Sequence, residues 1–177
     1  MKQFKGERHS MSTLTFRIAK LDDLERIVAI YNSTIEGRMV TADLEAVTVE
    51  DRTPWFHAHI ADHRPLWVME LDNDICGWIS LQDFYGRKAY DATAEVSIYL
   101  DADFRGHGLG KKAIQFVLDA APSLSIQTIL SFIFAQNEPS MKLFKHFGFE
   151  QWAFLPEVAE LDGMKRDLVI LGKKVSK

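Results

Sequence analysis

Three groups of residues in this sequence could do chemistry. The first runs from Glu95 to Gly110, where an alternating apolar stretch gives way to a turn holding Gly106, His107, Gly108, Leu109 and Gly110, and then to a helical pattern. Glycines remove side chains where the backbone bends. Successive N–H groups can then converge at a helix start, a place that suits phosphate oxygens. Arg105 and Lys111 add positive charge on either side. Two familiar phosphate loops are excluded by spacing. A Walker loop needs glycine where Arg105 stands and Ser or Thr where Lys112 stands, and G-x-G-x-x-G does not match the G-x-G-x-G found here. On this segment alone, a glycine-rich turn with no ligand is the plain alternative.

The second group is Glu95 itself. Strand alternation puts Ala94, Val96, Ile98 and Leu100 on one face and Glu95, Ser97 and Tyr99 on the other. A carboxylate inside a strand covered by helices needs a partner or a task, the plain alternative being an ion-paired or solvent-facing glutamate. The third group, Asn137 and Ser140, sits at a helix start, where asparagine ordinarily caps. His57, His59, His63, His107 and His146 have no metal-ligand spacing and are expected on the surface, so no metal is expected. Cys76, the one cysteine, can form no intrachain disulfide and reads as a small buried hydrophobe. Trp55, Trp67, Trp78 and Trp152 read as core or interface.

The elements that must position these residues follow from period and punctuation. Strands are expected at 13–19, 66–71 and 75–82, with a tight hairpin turn at Asp72-Asn73-Asp74, and again at 92–100, 127–135, 150–155 and 166–173. Helices are expected at 22–34, 49–61, 109–121 and 138–147, the last stopping at Gly148. Pro54 is awkward inside the second helix, which could instead begin there with Thr53 as cap. Residues 36–47 read as irregular. Early hairpin strands followed by strand–helix–strand–helix–strand give an α/β fold, a mixed sheet covered by helices.

The chain has 177 residues, 47% of them hydrophobic and 26% charged, which suits one globular domain. That domain is expected over residues 13–175, after a polar, flexible extension at 1–12. With 21 basic and 25 acidic residues the net charge is −4, which argues against nucleic acid as a partner. No apolar run is long enough to span a membrane, and the first residues lack the apolar core of a secretory signal, so a cytoplasmic protein is expected.

Arg105-x-x-Gly108-x-Gly110 after a strand resembles the [RQ]-x-x-G-x-[GA] loop with which the GNAT superfamily of N-acetyltransferases holds the acetyl-CoA pyrophosphate. Downstream, Asn137, Ser140, Leu143, Phe144, Gly148 and Phe149 resemble that superfamily's later motif, N-x-x-[AS]-x-x-[LF]-[YHF]-x-x-x-G-F. Ile30-Tyr31-Asn32, the run from Arg87 to Tyr90, and the strand from Tyr90 to Leu100 resemble the phosphinothricin N-acetyltransferase-like branch.

The resemblance implies a mostly antiparallel twisted sheet whose central strands splay apart around acetyl-CoA. Arg105, Gly106, His107, Gly108, Leu109 and Gly110 would hold the pyrophosphate. Ile98, Tyr99 and Leu100 would run along the pantetheine, and Asn137 and Ser140 would contact the same arm. Glu95 would be the base, and Arg87 and Tyr90 would bind a small amino-acid-like acceptor of the phosphinothricin, methionine sulfone or methionine sulfoximine type. The acceptor amine would attack directly in a ternary complex, with Cys76 outside the chemistry. A homodimer is implied as well. Two departures stand out: Phe144 replaces a Tyr or His proposed as general acid, and Ala102 replaces a common Pro. His146 would lie near the CoA 3′-phosphate. Two other readings are a peptide or protein N-terminal acetyltransferase and a non-catalytic acyl-CoA-binding module.

Overall fold

The computed structural model describes residues 12–175, so all but the last position of the expected N-terminal extension lies outside the described residues. In chain order the elements are β1 (Leu14–Ile18), α1 (Leu24–Ser33), α2 (Val49–His57), β2 (Leu66–Leu71), β3 (Asp74–Asp83), β4 (Thr93–Leu100), α3 (Leu109–Ala120), β5 (Thr128–Phe134), α4 (Glu138–His146), β6 (Glu150–Leu161) and β7 (Met164–Lys174). The seven strands form one sheet in the order β1-β2-β3-β4-β5-β7-β6. Every neighbouring pair is antiparallel except β4 and β5. The expected mixed, mostly antiparallel α/β fold is the one observed.

Turn chemistry sets the hairpins. Asp72 and Asn73 have φ of 52° and 74°, and Asp162 and Gly163 have 52° and 75°. Both pairs occupy the left-handed region that two-residue hairpin turns require and that Asp, Asn and Gly tolerate. The second hairpin lengthens the last two strands well beyond expectation. β6 continues through Pro156 because a register shift between Leu155 and Ala159 absorbs it. β6 is also the sheet edge, where a missing N–H need not break a ladder. Within that bulge, the Glu157 N–H donates to Asp167 Oδ1 at 2.8 Å.

α2 keeps one expected bound and corrects the other. It starts at Val49 as expected, with Thr48 as N-cap, so the alternative start capped by Thr53 is rejected, and it ends at His57 rather than at 61. Thr48 Oγ1 accepts the Asp51 N–H and Asp51 Oδ2 accepts the Thr48 N–H, both at 3.1 Å. This capping box satisfies two otherwise orphaned donors and offsets the bond that Pro54 cannot make. Thr53 sits inside the helix, its hydroxyl donating to the Val49 carbonyl at 2.8 Å.

Two apolar cores lie on opposite faces of the sheet. Met69, Ile79, Val96 and Ile133 pack with Ala113, Ile114 and Val117 of α3 and Phe144 of α4. Val68 and Trp78 pack with Leu24, Ile27 and Tyr31 of α1, with Trp55 and Phe56 of α2 against them. Cys76 is wholly buried in the first core and its thiol donates to the Met69 carbonyl at 3.4 Å. Burial also pushes that thiol's pKa up, which opposes reactivity.

For function the decisive feature is the centre. β4 and β5 pair only where Thr93–Glu95 meets Thr128–Leu130. Beyond Glu95 the strands part, and peptide groups that would have paired across them face an open split.

Candidate active site

The split between β4 and β5 holds a cavity of about 120 Å³. Ile98, Tyr99 and Leu100 line it from β4, and Gly110 lines it from α3. Asn137, Ser140 and Phe144 close it from α4, and Met39 and Val40 from the segment between α1 and α2. Gly110 of the first motif and Asn137, Ser140, Leu143 and Phe144 of the second, far apart in the chain, meet here.

Arg105, Gly106, His107 and Gly108 lie just outside, on an exposed loop leading into α3. Gly106 and Gly108 have φ of +86° and +66°, and a Cβ at either would meet nothing within 4 Å. Their requirement is conformational: the left-handed backbone disfavours any side chain. Gly108 is the N-cap of α3, so no side chain caps that helix. Its first N–H groups are left for a ligand or water, at the positive end of the helix dipole. A pyrophosphate fits this cradle.

Glu95 stands at the vertex of the split, in the last register pair before the strands part. Its side chain is on the α1/α2 face, where Gln82 faces it across the β3–β4 ladder. It opens onto a different cavity, of about 310 Å³, shared with Ala58, His59, Arg64, Gln82 and Asp83. Burial alone pushes its pKa above the ordinary 4.5. Such a carboxylate is a stronger proton acceptor than one in water.

Arg87 and Tyr90 do not reach that cavity. They line a neighbouring one of about 90 Å³ with Gly86 and Asp91, and Asp83 forms the wall common to both. Both residues are exposed, and the Arg87 guanidinium lies 5.5 Å over the Tyr85 ring.

Some of the surroundings were not legible beforehand. Arg64 is buried, with a side chain 5% exposed. Its Nη2 donates to the Asp91 carbonyl at 2.6 Å, its Nη1 to the His63 carbonyl at 3.0 Å, and its Nε lies 2.7 Å from Asp83 Oδ1. It ties the connection before β2 to the connection before β4. His59 departs from the expected surface placement. It is half-buried, its Nδ1 donates to the Trp55 carbonyl at 2.9 Å, and burial lowers its pKa. His63, Asp83 and Asp91 bring ligand atoms within 4.8 Å of one another. The Arg64 guanidinium already sits against both carboxylates, and a fixed cation there opposes a metal ion.

Phe144 is buried and packs edge-on against Phe149, centroids 5.0 Å apart. It has no proton to give. Tyr99 stacks on Trp78 at 4.5 Å, and burial beside Tyr31 holds its phenol protonated well above the ordinary value.

The model of the acetyltransferase (GNAT) family matches residues 24–149. The chain belongs to the GNAT family. It is 52% identical over 164 residues to YwnH of Bacillus subtilis (strain 168), provisionally named a phosphinothricin acetyltransferase, covering 92% of this chain and 100% of that one. The L-methionine sulfoximine/L-methionine sulfone acetyltransferase of Pseudomonas aeruginosa is 27% identical over 158 residues, 89% of this chain and 92% of that one. The Salmonella typhimurium protein yncA, provisionally named an acetyltransferase and solved with its cofactor acetyl-CoA, superposes with a TM-score of 0.85 at 26% identity. That match covers 93% of this chain and 95% of that chain. As a GNAT member the protein is an N-acetyltransferase, and its split sheet is the family's fold. Among the described residues no helix is long and apolar enough to cross a membrane.

Proposed function

We propose that the protein transfers the acetyl group of acetyl-CoA to the amino group of a small amino-acid-like acceptor of the phosphinothricin or methionine sulfoximine class. The observation that carries this reading is Glu95 at the vertex of the β4–β5 split, with the uncapped start of α3 at the other end. The names of the relatives support the acceptor class.

Bound in the split, acetyl-CoA supplies an acetyl thioester. The loop amides of 106–110, with Arg105, hold its pyrophosphate. Ile98, Tyr99 and Leu100 run along the pantetheine, and Ser140 meets the same arm. A β4 N–H facing the split donates to the thioester carbonyl and stabilises negative charge as it develops. The acceptor arrives mostly as an ammonium ion, which cannot attack. Glu95 takes its proton, directly or through one water, and the free amine attacks the carbonyl carbon. The new N–C bond replaces the S–C bond. The second proton that the nitrogen sheds as the amide forms passes through water to the departing thiolate, since Phe144 can supply none. Arg87 holds the acceptor's carboxylate and Tyr90 lies beside it.

We also propose a homodimer. Trp152, Phe154 and Val158 of edge strand β6 are 45%, 51% and 55% exposed, apolar side chains along an open sheet edge that suit a second copy. Trp152 also serves its own sheet, for its ring covers Gly172, whose added Cβ would fall 2.1 Å from it. Sedimentation should give a dimer at micromolar concentrations, and a monomer throughout that range would reject the proposal.

The functional reading is tested by thiol release from acetyl-CoA with a panel of amino acids and their sulfone and sulfoximine analogues. Turnover confined to small amino acids supports it. Turnover only with peptide N-termini, or acetyl-CoA binding with no turnover, would replace it.

A further inference from the structure

Asn137 uses both ends of one amide. Its Oδ1 accepts the Ser140 N–H at 3.3 Å and so caps α4. Its Nδ2 donates to the Met39 carbonyl, also at 3.3 Å. Exchanging O and N would set donor against donor and acceptor against acceptor, so the partners fix the orientation. The side chain is buried, which makes each lost bond costly.

Met39 belongs to a segment with neither helix nor strand that leads from α1 to α2. Its later part is tied to α1. Asn32 exchanges two bonds of 2.9 Å with Val47, and the Tyr31 hydroxyl bonds to Asp43. Its middle is held from the other half of the chain. Gln136 Nε2 donates to the Arg38 carbonyl at 3.5 Å, and Arg38 Nε donates to Asp162 Oδ2 in the β6–β7 turn at 2.6 Å. Met39 and Val40 thereby form a wall of the split, and Ile35 and Val47 to either side of them pack in the core of α1 and α2, the face on which Glu95 lies. The capped helix α4 lies on the opposite face with α3.

We propose that Asn137 is a positioning residue for the acceptor side of the reaction: its amide holds Met39, and with it residues 35–43, across the split, while capping α4 on the donor side. This departs from the role the family resemblance implied, a direct contact to the CoA arm. It rests on the reading that acetyl-CoA occupies the split.

The test separates the two sides. Asn137→Ser keeps an N-cap acceptor of similar quality but is too short to reach Met39. The acceptor KM should rise about 3- to 10-fold, the loss expected for one neutral hydrogen bond. The acetyl-CoA dissociation constant, measured by calorimetry without acceptor, should stay within about 2-fold. Gln136→Ala removes the neighbouring tether and leaves the cap untouched, and it should raise the acceptor KM in the same direction by less. A raised acetyl-CoA dissociation constant with unchanged acceptor KM in Asn137→Ser would overturn the proposal and return Asn137 to CoA binding. If Asn137→Ser does not fold, an unchanged acceptor KM in Gln136→Ala overturns it. Failure of the unaltered protein to bind acetyl-CoA is a separate result, and it would overturn both this proposal and the reading beneath it.

Discussion

Gly110 and Leu143 touch where α3 meets α4: a Cβ on Gly110 would lie 2.7 Å from Leu143 Cδ2. The last glycine of the loop motif is therefore also a packing residue of the later motif. Gly108, two positions earlier, has open space around it and a left-handed backbone instead. One glycine answers to a neighbour and the other to its own φ.

The two should respond differently to substitution. Gly108→Val forces a β-branched residue into the left-handed region and should raise the acetyl-CoA dissociation constant about 10-fold or more, the equivalent of a lost charge-assisted contact. Gly110→Ala meets only the flexible end of a leucine, which can rotate away, and alanine favours the helix. Its effect should stay within about 3-fold. Calorimetry on folded variants checks both, and unchanged affinity in Gly108→Val would remove the loop from the binding site.

Glu95→Gln should lower kcat about 10²-fold or more near neutral pH, with partial recovery at high pH where the amine loses its proton unaided. In the unaltered protein, activity should fall as pH drops through a value above 4.5, because burial raises the Glu95 pKa and protonation removes the base. The same shift predicts a stability effect of definite sign. A carboxyl whose pKa is higher folded than unfolded favours the fold below the unfolded value, and that contribution is lost as pH rises through the folded value. At neutral pH the ionised Glu95 is therefore a burden on the fold, and Glu95→Gln should unfold at a temperature no lower than the unaltered protein. A pH–rate profile identical in the two proteins would reassign Glu95 to a structural role.

Local chemistry was legible where one residue settles one conformation. Asp72-Asn73 marked the first hairpin, Gly108 the start of α3, and the alternation of Glu95, Ser97 and Tyr99 the face on which the carboxylate lies. What escaped depends on partners distant in sequence. The expected end of β6 at 155 falls just before Pro156, and the register shift that carries the strand on to the Asp162-Gly163 turn depends on its pairing with β7. The sequence leaves two starts open for α2, at Val49 or at Pro54 with Thr53 as cap, and the Thr48–Asp51 capping box decides for the first. The burial of Arg64 and the tethering of Met39 follow from contacts to Asp91 and Asn137 that no local pattern announces.

Arg87 is the proposed partner of the acceptor's carboxylate. A guanidinium fork binds a carboxylate bidentately, which neither alanine nor lysine can copy. Arg87→Ala should raise KM for an amino acid on the order of 10-fold, and should leave the decarboxylated amine of the same shape nearly unchanged. Arg87 lies one cavity away from Glu95, across Asp83, and the proposed binding mode requires the acceptor to span that wall. Equal losses for the two compounds would mean that Arg87 only shapes the loop.

The most direct measurement is product analysis by mass spectrometry of a reaction containing the protein, acetyl-CoA and L-methionine sulfoximine, with thiol release followed in parallel. One N-acetylated amino acid is expected for each thiol released, with both signals falling together in Glu95→Gln. Thiol release without an acetylated amine, or tight acetyl-CoA binding with neither product from any small amino acid, would contradict it.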